Sequence, residues 1–193
     1  MNKMLVNKKF KNYSSEIQVI SLVGMMGAGK SKFGKTLSRK LGFKFYEIDE
    51  MIEESFQMSI NNIFTKYGEK HFRSEEKKLI KLTVLNILKN KENSLISTGG
   101  GSFDNQYSRE LLLTNSLVIW LNCPIEVLVK RIGNTKKRPM LKENVKDSLQ
   151  KVFEKREMFY KTAHAVFDTS ESPFEQITEQ MIKYIKKCLF IKK

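Results

Sequence analysis

The chain has 193 residues, 40% of them hydrophobic and 29% charged, which suits a single soluble α/β domain with its own core. No apolar run approaches the roughly 20 residues that a membrane-spanning helix needs. Cys123 and Cys188 are the only cysteines, and neither has a Cys or His nearby at metal-ligand spacing. The composition therefore excludes a disulfide framework and indicates no zinc site, and we expect a cytoplasmic protein.

The formal net charge of +14 at pH 7 could indicate a nucleic-acid partner. The excess comes from lysine spread over the whole chain and concentrated only at its two ends. No nucleic-acid-binding signature and no basic stripe interleaved with aromatic residues accompanies it. We favour a simpler interpretation, a lysine-rich composition together with attraction of anionic substrates. We accordingly predict small-molecule substrates and no nucleic-acid or membrane partner; separately, we expect a monomer.

The N-terminal residues 1–16 are basic, and Glu16 is the first acidic residue. The segment has no arginine, which a transit peptide normally carries, and no apolar stretch of the length that a secretory signal needs. Two interpretations stay open, a disordered extension, which we favour, and an organellar address.

The first predicted strand and helix flank a glycine-rich loop. Ile17–Val23 reads as a buried strand, and from Lys30 onward apolar residues recur every four positions until Gly42 ends the helix. Between them lies Gly24–Ser31, a complete G-x-x-x-x-G-K-S motif. Its glycines let backbone N–H groups wrap phosphate oxygens at a helix N-terminus, where the macrodipole also favours anions. We therefore predict nucleotide binding, with Lys30 on the β- and γ-phosphates and the Ser31 hydroxyl on Mg²⁺.

Strands and helices alternate along the rest of the chain. The further predicted strands are Phe43–Ile48, Ser94–Thr98, Leu117–Leu121 and Ala165–Asp168. The predicted helices cover residues 50–56, 60–67 after a Ser59 cap, 69–90, a segment closing at 111–113, a segment from Pro124, 144–161, and a C-terminal segment after the capping box 172–175. In the long helix we expect the buried stripe to be Phe72, Leu79, Leu82, Leu85 and Leu88. Five strands alternating with helices predict one domain over residues 17–193, a three-layer α/β/α fold with a five-stranded parallel sheet.

Several blocks of the sequence occur together in a specific order. They are the loop Gly24–Ser31, the acidic segment Phe45–Glu53, the segments Ser59–Glu69 and Phe72–Glu76, the triplet Gly99–Gly101 after Thr98, the segment Arg131–Leu141, and Arg156 with Tyr160. This combination resembles the shikimate kinases, a family of P-loop small-molecule kinases of nucleoside-monophosphate-kinase type, and covers roughly residues 17–185. The resemblance implies ATP-dependent phosphorylation of the 3-hydroxyl of shikimate in aromatic amino acid (chorismate) biosynthesis. It also implies substrate-binding helices over about 49–76 and a lid over about 133–143.

The acceptor substrate of such an enzyme is a small hydroxy acid. The resemblance assigns its carboxylate to Arg73 and Arg156, whose planar guanidinium groups pair bidentately with carboxylates. Glu76 lies one helical turn after Arg73 and could brace it. Asp49 is our candidate to orient the acceptor hydroxyl and take its proton, although it could also be the N-cap of the next helix. The triplet would let backbone approach the substrate ring at a strand's carboxyl end, through Gly99, Gly100 and Gly101.

The nucleotide and its metal are assigned to a second set of residues. The implied ATP-binding residues are Gly27, Ala28, Gly29, Lys30, Ser31, Lys32, Arg131 and Arg138. Among them Arg131 is expected to stack on adenine, and Arg138 to stabilise γ-phosphate charge from the lid. Lys30, Asp49 and Arg138 are thus the implied catalytic residues. The implied Mg²⁺ cofactor would be held by Ser31, Glu47 and Ser97, in part through water.

Two positions depart from the family's pattern. Glu47 stands where the family usually has aspartate, which shifts the carboxylate by about 1.5 Å, the length of one methylene. Because Mg²⁺ usually keeps several waters, we expect a normal metal requirement with an altered Mg²⁺ affinity. Glu171 stands in a loop, residues 169–173, where members often place arginine against adenine, so we expect looser nucleotide selectivity.

Two other functions share some of these sequence features. A related kinase for gluconate or a nucleoside monophosphate would share the loop and the fold, but not the arginine pair with Asp49 and the glycine triplet. A non-catalytic binding protein of the same fold would be expected to have lost Lys30, Asp49, Arg73 or Arg156, and all four are present.

Overall fold

The computed structural model describes residues 5–6, 18–132 and 145–189, with residues 5–6 as backbone alone. The predicted lid, including Arg138, and most of the N-terminal extension lie outside the described residues. Within the extension, Leu5–Val6 forms a short strand, β1, where the sequence indicated disorder. Across the described ranges, no helix combines the length and the apolar character that crossing a bilayer requires.

The strands form one sheet in the order β1-β6-β5-β2-β4-β3. Strand β1 pairs with β6 in antiparallel orientation, and the other four pairings are all parallel. The predicted five-stranded parallel sheet is therefore confirmed, with a two-residue antiparallel strand added at one edge. After β1, the strands are β2 Val19–Val23, β3 Lys44–Glu47, β4 Ser94–Ser97, β5 Leu117–Asn122 and β6 Ala165–Asp168.

Helices cover both faces of this sheet, as the complete burial of β2 and β4 requires. Most boundaries fall within two residues of the prediction. The helices are α1 Lys30–Leu41, α2 Ile48–Phe56, α3 Ile60–Asn90, α4 Gln106–Asn115, α5 Ile125–Ile132, α6 Val145–Tyr160 and α7 Phe174–Leu189.

Helix α2 begins earlier than predicted, at Ile48, directly after strand β3. Glu47 has extended backbone and occupies the N-cap position, although its side chain makes no capping hydrogen bond. Asp49 therefore lies within the first helical turn, and its interpretation as an N-cap is wrong. Since the carboxylate of Asp49 is not used as a cap, it is available to the adjacent cleft.

The strand order brings three loops side by side. Strand β2 lies between β5 and β4, and β4 lies between β2 and β3. Because these strands are parallel, their carboxyl ends meet at one edge of the sheet. The loop after β2, the glycine triplet after β4 and the start of α2 after β3 are consequently neighbours.

Helix α3 contains a break at Gly68, whose φ of 81° and ψ of 164° are not helical. This confirms the two separate helices predicted on either side of this residue. Ser59 caps the first of them, its hydroxyl accepting a hydrogen bond from the backbone N–H of Asn62 at 3.3 Å.

The buried face of α3 differs from the predicted leucine stripe. The residues buried after the break are Phe72, Glu76, Ile80, Thr83, Val84 and Ile87, whereas Leu82 and Leu85 are 62% and 48% exposed. The leucines recur every three residues, so they drift around a helix with 3.6 residues per turn. The true face includes two polar side chains, Glu76 and Thr83, which a purely apolar pattern omits. The prediction of this stripe was wrong at Leu82 and Leu85.

We expect Ile80→Ala to destabilise the fold far more than Leu82→Ala. Ile80 is 1% exposed, and truncating such a core residue typically costs about 2–5 kcal/mol because it leaves a cavity. Leu82 lies two residues away in the same helix, and we expect its truncation to change stability by about 0.5 kcal/mol or less. Urea unfolding of both variants measures the difference. A similar loss in both variants would contradict the assigned face.

Candidate active site

The loop Gly24–Ser31 connects β2 to α1 and has the backbone shape of a phosphate cradle. Three of its glycines have positive φ, 140° at Gly24, 80° at Gly27 and 93° at Gly29, which other residues adopt at a cost. Helix α1 begins at Lys30 without a side-chain cap and without an acidic residue in its first turn, so its terminal N–H groups suit an anion. The Nζ atom of Lys30 donates to the carbonyl oxygens of Gly24 and Met25, at 2.9 and 3.0 Å. The cation therefore lies over the loop.

Oxygen atoms suited to a metal ion lie beside this loop. In the sheet, Glu47 of β3 pairs in register with Ser97 of β4, and both residues are buried. Within the described part of the chain, Oε2 of Glu47 and Oγ of Ser97 have no hydrogen-bond partner. Burial raises the pKa of Glu47, while the nearby hydroxyls of Ser31 and Ser97 act in the opposite direction. Unpaired buried oxygens are unfavourable, so the site is better satisfied with a cation present.

This oxygen set fits Mg²⁺ better than a metal that needs several protein ligands. No group of three or more His, Cys, Asp or Glu residues able to hold a metal occurs among the residues described. Mg²⁺ prefers oxygen ligands, keeps several waters and is commonly completed by substrate phosphates. One carboxylate and two hydroxyls next to a phosphate loop match that requirement.

The glycine triplet is the point at which the other polar side chains meet. A Cβ atom on Gly99 would collide with the Glu76 carboxylate and lie 2.7 Å from Oδ1 of Asp49. A Cβ on Gly101 would lie 2.6–2.7 Å from the central carbon and both terminal nitrogens of the Arg73 guanidinium. Two carboxylates and a guanidinium thus occupy the space that side chains would otherwise fill.

The middle glycine connects the phosphate loop to helix α6. A Cβ on Gly100 would lie 3.3 Å from the backbone nitrogen of Met26 and 3.7 Å from Nη1 of Arg156. The carbonyl oxygen of Gly100 accepts a hydrogen bond from the Tyr160 hydroxyl at 2.5 Å. Burial raises the pKa of Tyr160 above its ordinary value, so its hydroxyl stays a donor. Tyr160 therefore fixes the triplet against α6.

Arg73 is held in place by acidic side chains of its own helix. Its Nη1 donates to Oε2 of the buried Glu76 at 2.8 Å, and its Nε and Nη2 lie 3.4 Å from Oε1 of Glu69. The other oxygen of Glu76 accepts a hydrogen bond from the Ser102 hydroxyl at 2.6 Å. The predicted brace by Glu76 is thus present, and Ser102 extends it to the end of the triplet.

Asp49 has an unusual proton affinity for an aspartate. Its pKa is raised to about 6, mainly by burial. The carboxylates of Glu76 and Glu47 also raise the pKa, whereas the positive charges of Lys30 and Arg73 lower it. The group is ionised at neutral pH yet accepts a proton more readily than an exposed aspartate. Such a carboxylate, half-buried beside the triplet, can orient a hydroxyl and receive its proton.

The predicted nucleotide side has a different set of contacts. Arg131 donates from Nη1 to the Thr169 hydroxyl at 3.1 Å and from Nη2 to the Thr169 carbonyl at 2.5 Å. Thr169 belongs to the loop predicted to face adenine, in which Glu171 is exposed. The ammonium of Lys32 lies 4.1 Å from the centre of the Phe174 ring, so its side chain packs against α7.

The structure thus brings together Lys30, Ser31, Glu47, Asp49, Arg73, Ser97, the triplet and Arg156 around one edge of the sheet. Arg138 lies outside the described residues, and its assignment stays a prediction. Sequence reasoning missed Ser102 and Asp104 as contributors, and it named Thr169 only as part of the loop predicted to face adenine. Ser102 contacts a residue 26 positions away and Asp104 one 52 positions away, so no local pattern indicates them.

A phosphate loop that faces a pocket with two arginines and a carboxylate defines a P-loop kinase for a small acidic acceptor. A family model described as shikimate kinase matches residues 26–186. A shikimate kinase from a Sulfurihydrogenibium species is 37% identical over 87% of this chain and 98% of its own length, and one from Persephonella marina is 38% identical over 83% and 94%. The solved shikimate kinase from Acinetobacter baumannii in complex with shikimate is 31% identical, with a TM-score of 0.81 over 89% of this chain and 94% of that one. The chain belongs to the shikimate kinase family.

We expect Asp49→Asn to stabilise the ligand-free protein at pH 7.5. The folded pKa of Asp49 is raised to about 6, so the folded state binds this proton more tightly than the unfolded chain. Stability therefore falls as pH rises from about 4 to about 6, and the full penalty is present above that range. Asparagine carries no charge, so the substitution removes this penalty and should raise the free energy of unfolding by about 1–3 kcal/mol.

Urea unfolding at pH 7.5 and at pH 4 checks this expectation. The advantage of Asp49→Asn should shrink towards zero at the lower pH. Glu50→Gln is the matched control, because the neighbouring Glu50 forms only an exposed ion pair with Lys35. A destabilised Asp49→Asn variant at pH 7.5 would contradict the raised pKa.

Proposed function

We propose that the protein transfers the γ-phosphoryl group of ATP to the 3-hydroxyl of shikimate, giving shikimate 3-phosphate for aromatic amino acid (chorismate) biosynthesis. One observation carries this proposal: the guanidinium groups of Arg73 and Arg156 approach the same glycine triplet, next to the phosphate loop. The family membership supports it. A P-loop kinase for a neutral acceptor would not need two arginines at this place; gluconate and nucleoside monophosphates are anionic, so the acceptor assay separates them from shikimate.

On the acceptor side, the protein supplies orientation. Bidentate pairing of a guanidinium with a carboxylate fixes the plane as well as the position of the ligand. With the acid held by Arg73 and Arg156, the acceptor hydroxyl would lie near Asp49. Its carboxylate aligns the hydroxyl and takes the proton as phosphoryl transfer proceeds.

On the nucleotide side, the protein supplies positive charge and backbone donors. The first turn of α1 and Lys30 stabilise the phosphates, and Arg131 with Thr169 contacts the base. Phosphoryl transfer depends mainly on such positioning and charge stabilisation. Arg138 of the predicted lid would add a further positive charge at the γ-phosphate.

Mg²⁺ is the proposed metal, held by Ser31, Glu47 and Ser97 in part through water. When bound, it neutralises charge on the transferred phosphoryl group. The buried, unpaired oxygens of Glu47 and Ser97 support this assignment. We also propose that the protein acts as a monomer. A cytoplasmic location fits Cys123 and Cys188, which form no disulfide.

A coupled assay of ADP release with several acceptors tests the proposed activity. Shikimate should support turnover, whereas gluconate and nucleoside monophosphates should not. ADP release at an equal rate without any acceptor, or turnover with gluconate alone, would overturn the proposal.

We expect Arg73→Ala to raise the KM for shikimate about 10- to 100-fold, because hydrogen bonds between charged groups contribute roughly 1.5–3 kcal/mol. The KM for ATP should stay within about threefold of the wild-type value. Lys78→Ala is the matched control, since Lys78 forms an exposed ion pair on the same helix. Thermal unfolding checks that both variants fold. Equal weakening of shikimate and ATP binding would count against the assigned role.

We expect Glu47→Gln to require about tenfold more Mg²⁺ for half-maximal activity, because it keeps the shape of the side chain and removes the charge that attracts the cation. Glu47→Asp is the comparison variant: it keeps the charge and shortens the side chain by one methylene. Titration of activity with Mg²⁺ at saturating ATP and shikimate measures both. Wild-type Mg²⁺ dependence in Glu47→Gln would remove Glu47 from the metal site.

A further inference from the structure

Arg156 has a partner that the site described above does not use. Its Nε donates to Oδ2 of Asp104 at 2.8 Å, and the Arg156 side chain is only 5% exposed. Asp104 follows the glycine triplet, and its backbone N–H donates to the carbonyl oxygen of Gly101 at 3.1 Å. The carboxylate is therefore tied to the same turn that carries the proposed substrate-binding backbone.

Asp104 occupies only one edge of the Arg156 guanidinium. A guanidinium has donors along its side, which includes Nε, and at its end, Nη1 and Nη2. Asp104 engages Nε, and Nη1 lies towards Gly100. A carboxylate on the side edge fixes the plane of the group while the end edge stays directed at the triplet.

The surroundings of the Asp104 carboxylate do not stabilise the fold. Burial raises its pKa, and the neighbouring Arg156 and Arg73 act against this rise. Its second oxygen, Oδ1, is buried and has no hydrogen-bond partner within the residues that the structure describes. The side chain as a whole is 37% exposed, but a buried oxygen without a partner costs free energy, and a negative charge beside an anion site also repels an anionic ligand. Both effects are unfavourable unless the carboxylate organises Arg156.

We propose that Asp104 is a positioning residue that holds Arg156 by its Nε, so that Nη1 and Nη2 form a fixed fork for the substrate carboxylate. This inference rests on the proposed function, since it assigns that carboxylate to Arg156. Arg73 is hydrogen-bonded at Nη1 and Nε by Glu76 and Glu69 of its own helix. Arg156 has its partner in a distant segment, so its orientation depends on Asp104.

Steady-state kinetics of Asp104→Ala tests the proposal. We expect the KM for shikimate to rise about 5- to 20-fold, with kcat and the KM for ATP within about twofold of wild type, because a loosened guanidinium weakens one ligand only. Asp104→Asn keeps an oxygen that can accept from Nε and should restore most of the lost affinity. A purely structural role would instead lower kcat and both affinities together.

Glu157→Ala is the matched control, because Glu157 directly follows Arg156 in α6, pairs with the exposed Lys161, and has a side chain about as exposed as that of Asp104, 38% against 37%. It should leave the KM for shikimate unchanged. In an Arg156→Lys background, which lacks the guanidinium, Asp104→Ala should add less than twofold to the KM. Two outcomes would overturn the positioning role and leave the proposed function intact. One is a KM for shikimate that rises as much in the Arg156→Lys background as in the wild type, and the other is a wild-type KM in Asp104→Ala. Absence of shikimate phosphorylation by the wild-type protein would overturn the proposed function as well.

Discussion

The site depends on the absence of side chains at three consecutive residues. Polar atoms from α2, α3, α6 and the phosphate loop surround Gly99–Gly101 so closely that Cβ atoms on these residues would contact or overlap them. A sheet edge alone brings loops near each other, but it does not allow side chains of opposite charge to contact the same short stretch of backbone. The triplet provides that contact surface, and the hydrogen bond from Tyr160 keeps it in place.

The positive and negative side chains around the triplet are not equally well paired, and the difference suits proton transfer. Arg73 and Arg156 each have an acidic partner, which orients them without neutralising every donor. Asp49 is in a different situation, because burial and the nearby carboxylates of Glu76 and Glu47 raise its pKa. The protein thus stabilises two cations and leaves one carboxylate at higher free energy. Such local instability is common where a group must exchange a proton.

The sequence predicts those features that depend on neighbouring residues. The phosphate loop, the strand segments and the break near Gly68 each have a local signal, and the structure has them. Features that depend on distant pairing were less accessible. The register that places Glu47 opposite Ser97 joins residues 50 positions apart, and Asp104 meets Arg156 across 52.

The errors also have physical causes. Asp49 was interpreted as a possible cap because the end of β3 was predicted one residue late, and strand ends carry little sequence signal. The face of α3 was misassigned because the leucines form a more obvious pattern than a face that includes Glu76 and Thr83. Glu76 is buried and accepts a hydrogen bond from Arg73, so a polar contact replaces the hydrophobic pattern there.

The short strand β1 bears on aggregation through the edges of the sheet. An exposed strand at the margin of a sheet offers unpaired backbone groups that recruit strands of other molecules and start aggregates. Leu5–Val6 pairs with Val166 and Ala165, so the chain's own backbone takes that position on β6. At the opposite margin, Lys44 of β3 forms an ion pair with Glu92, and a charged margin discourages the same recruitment. One margin thus ends in a strand of only two residues and the other carries charge, and both features limit pairing with other molecules.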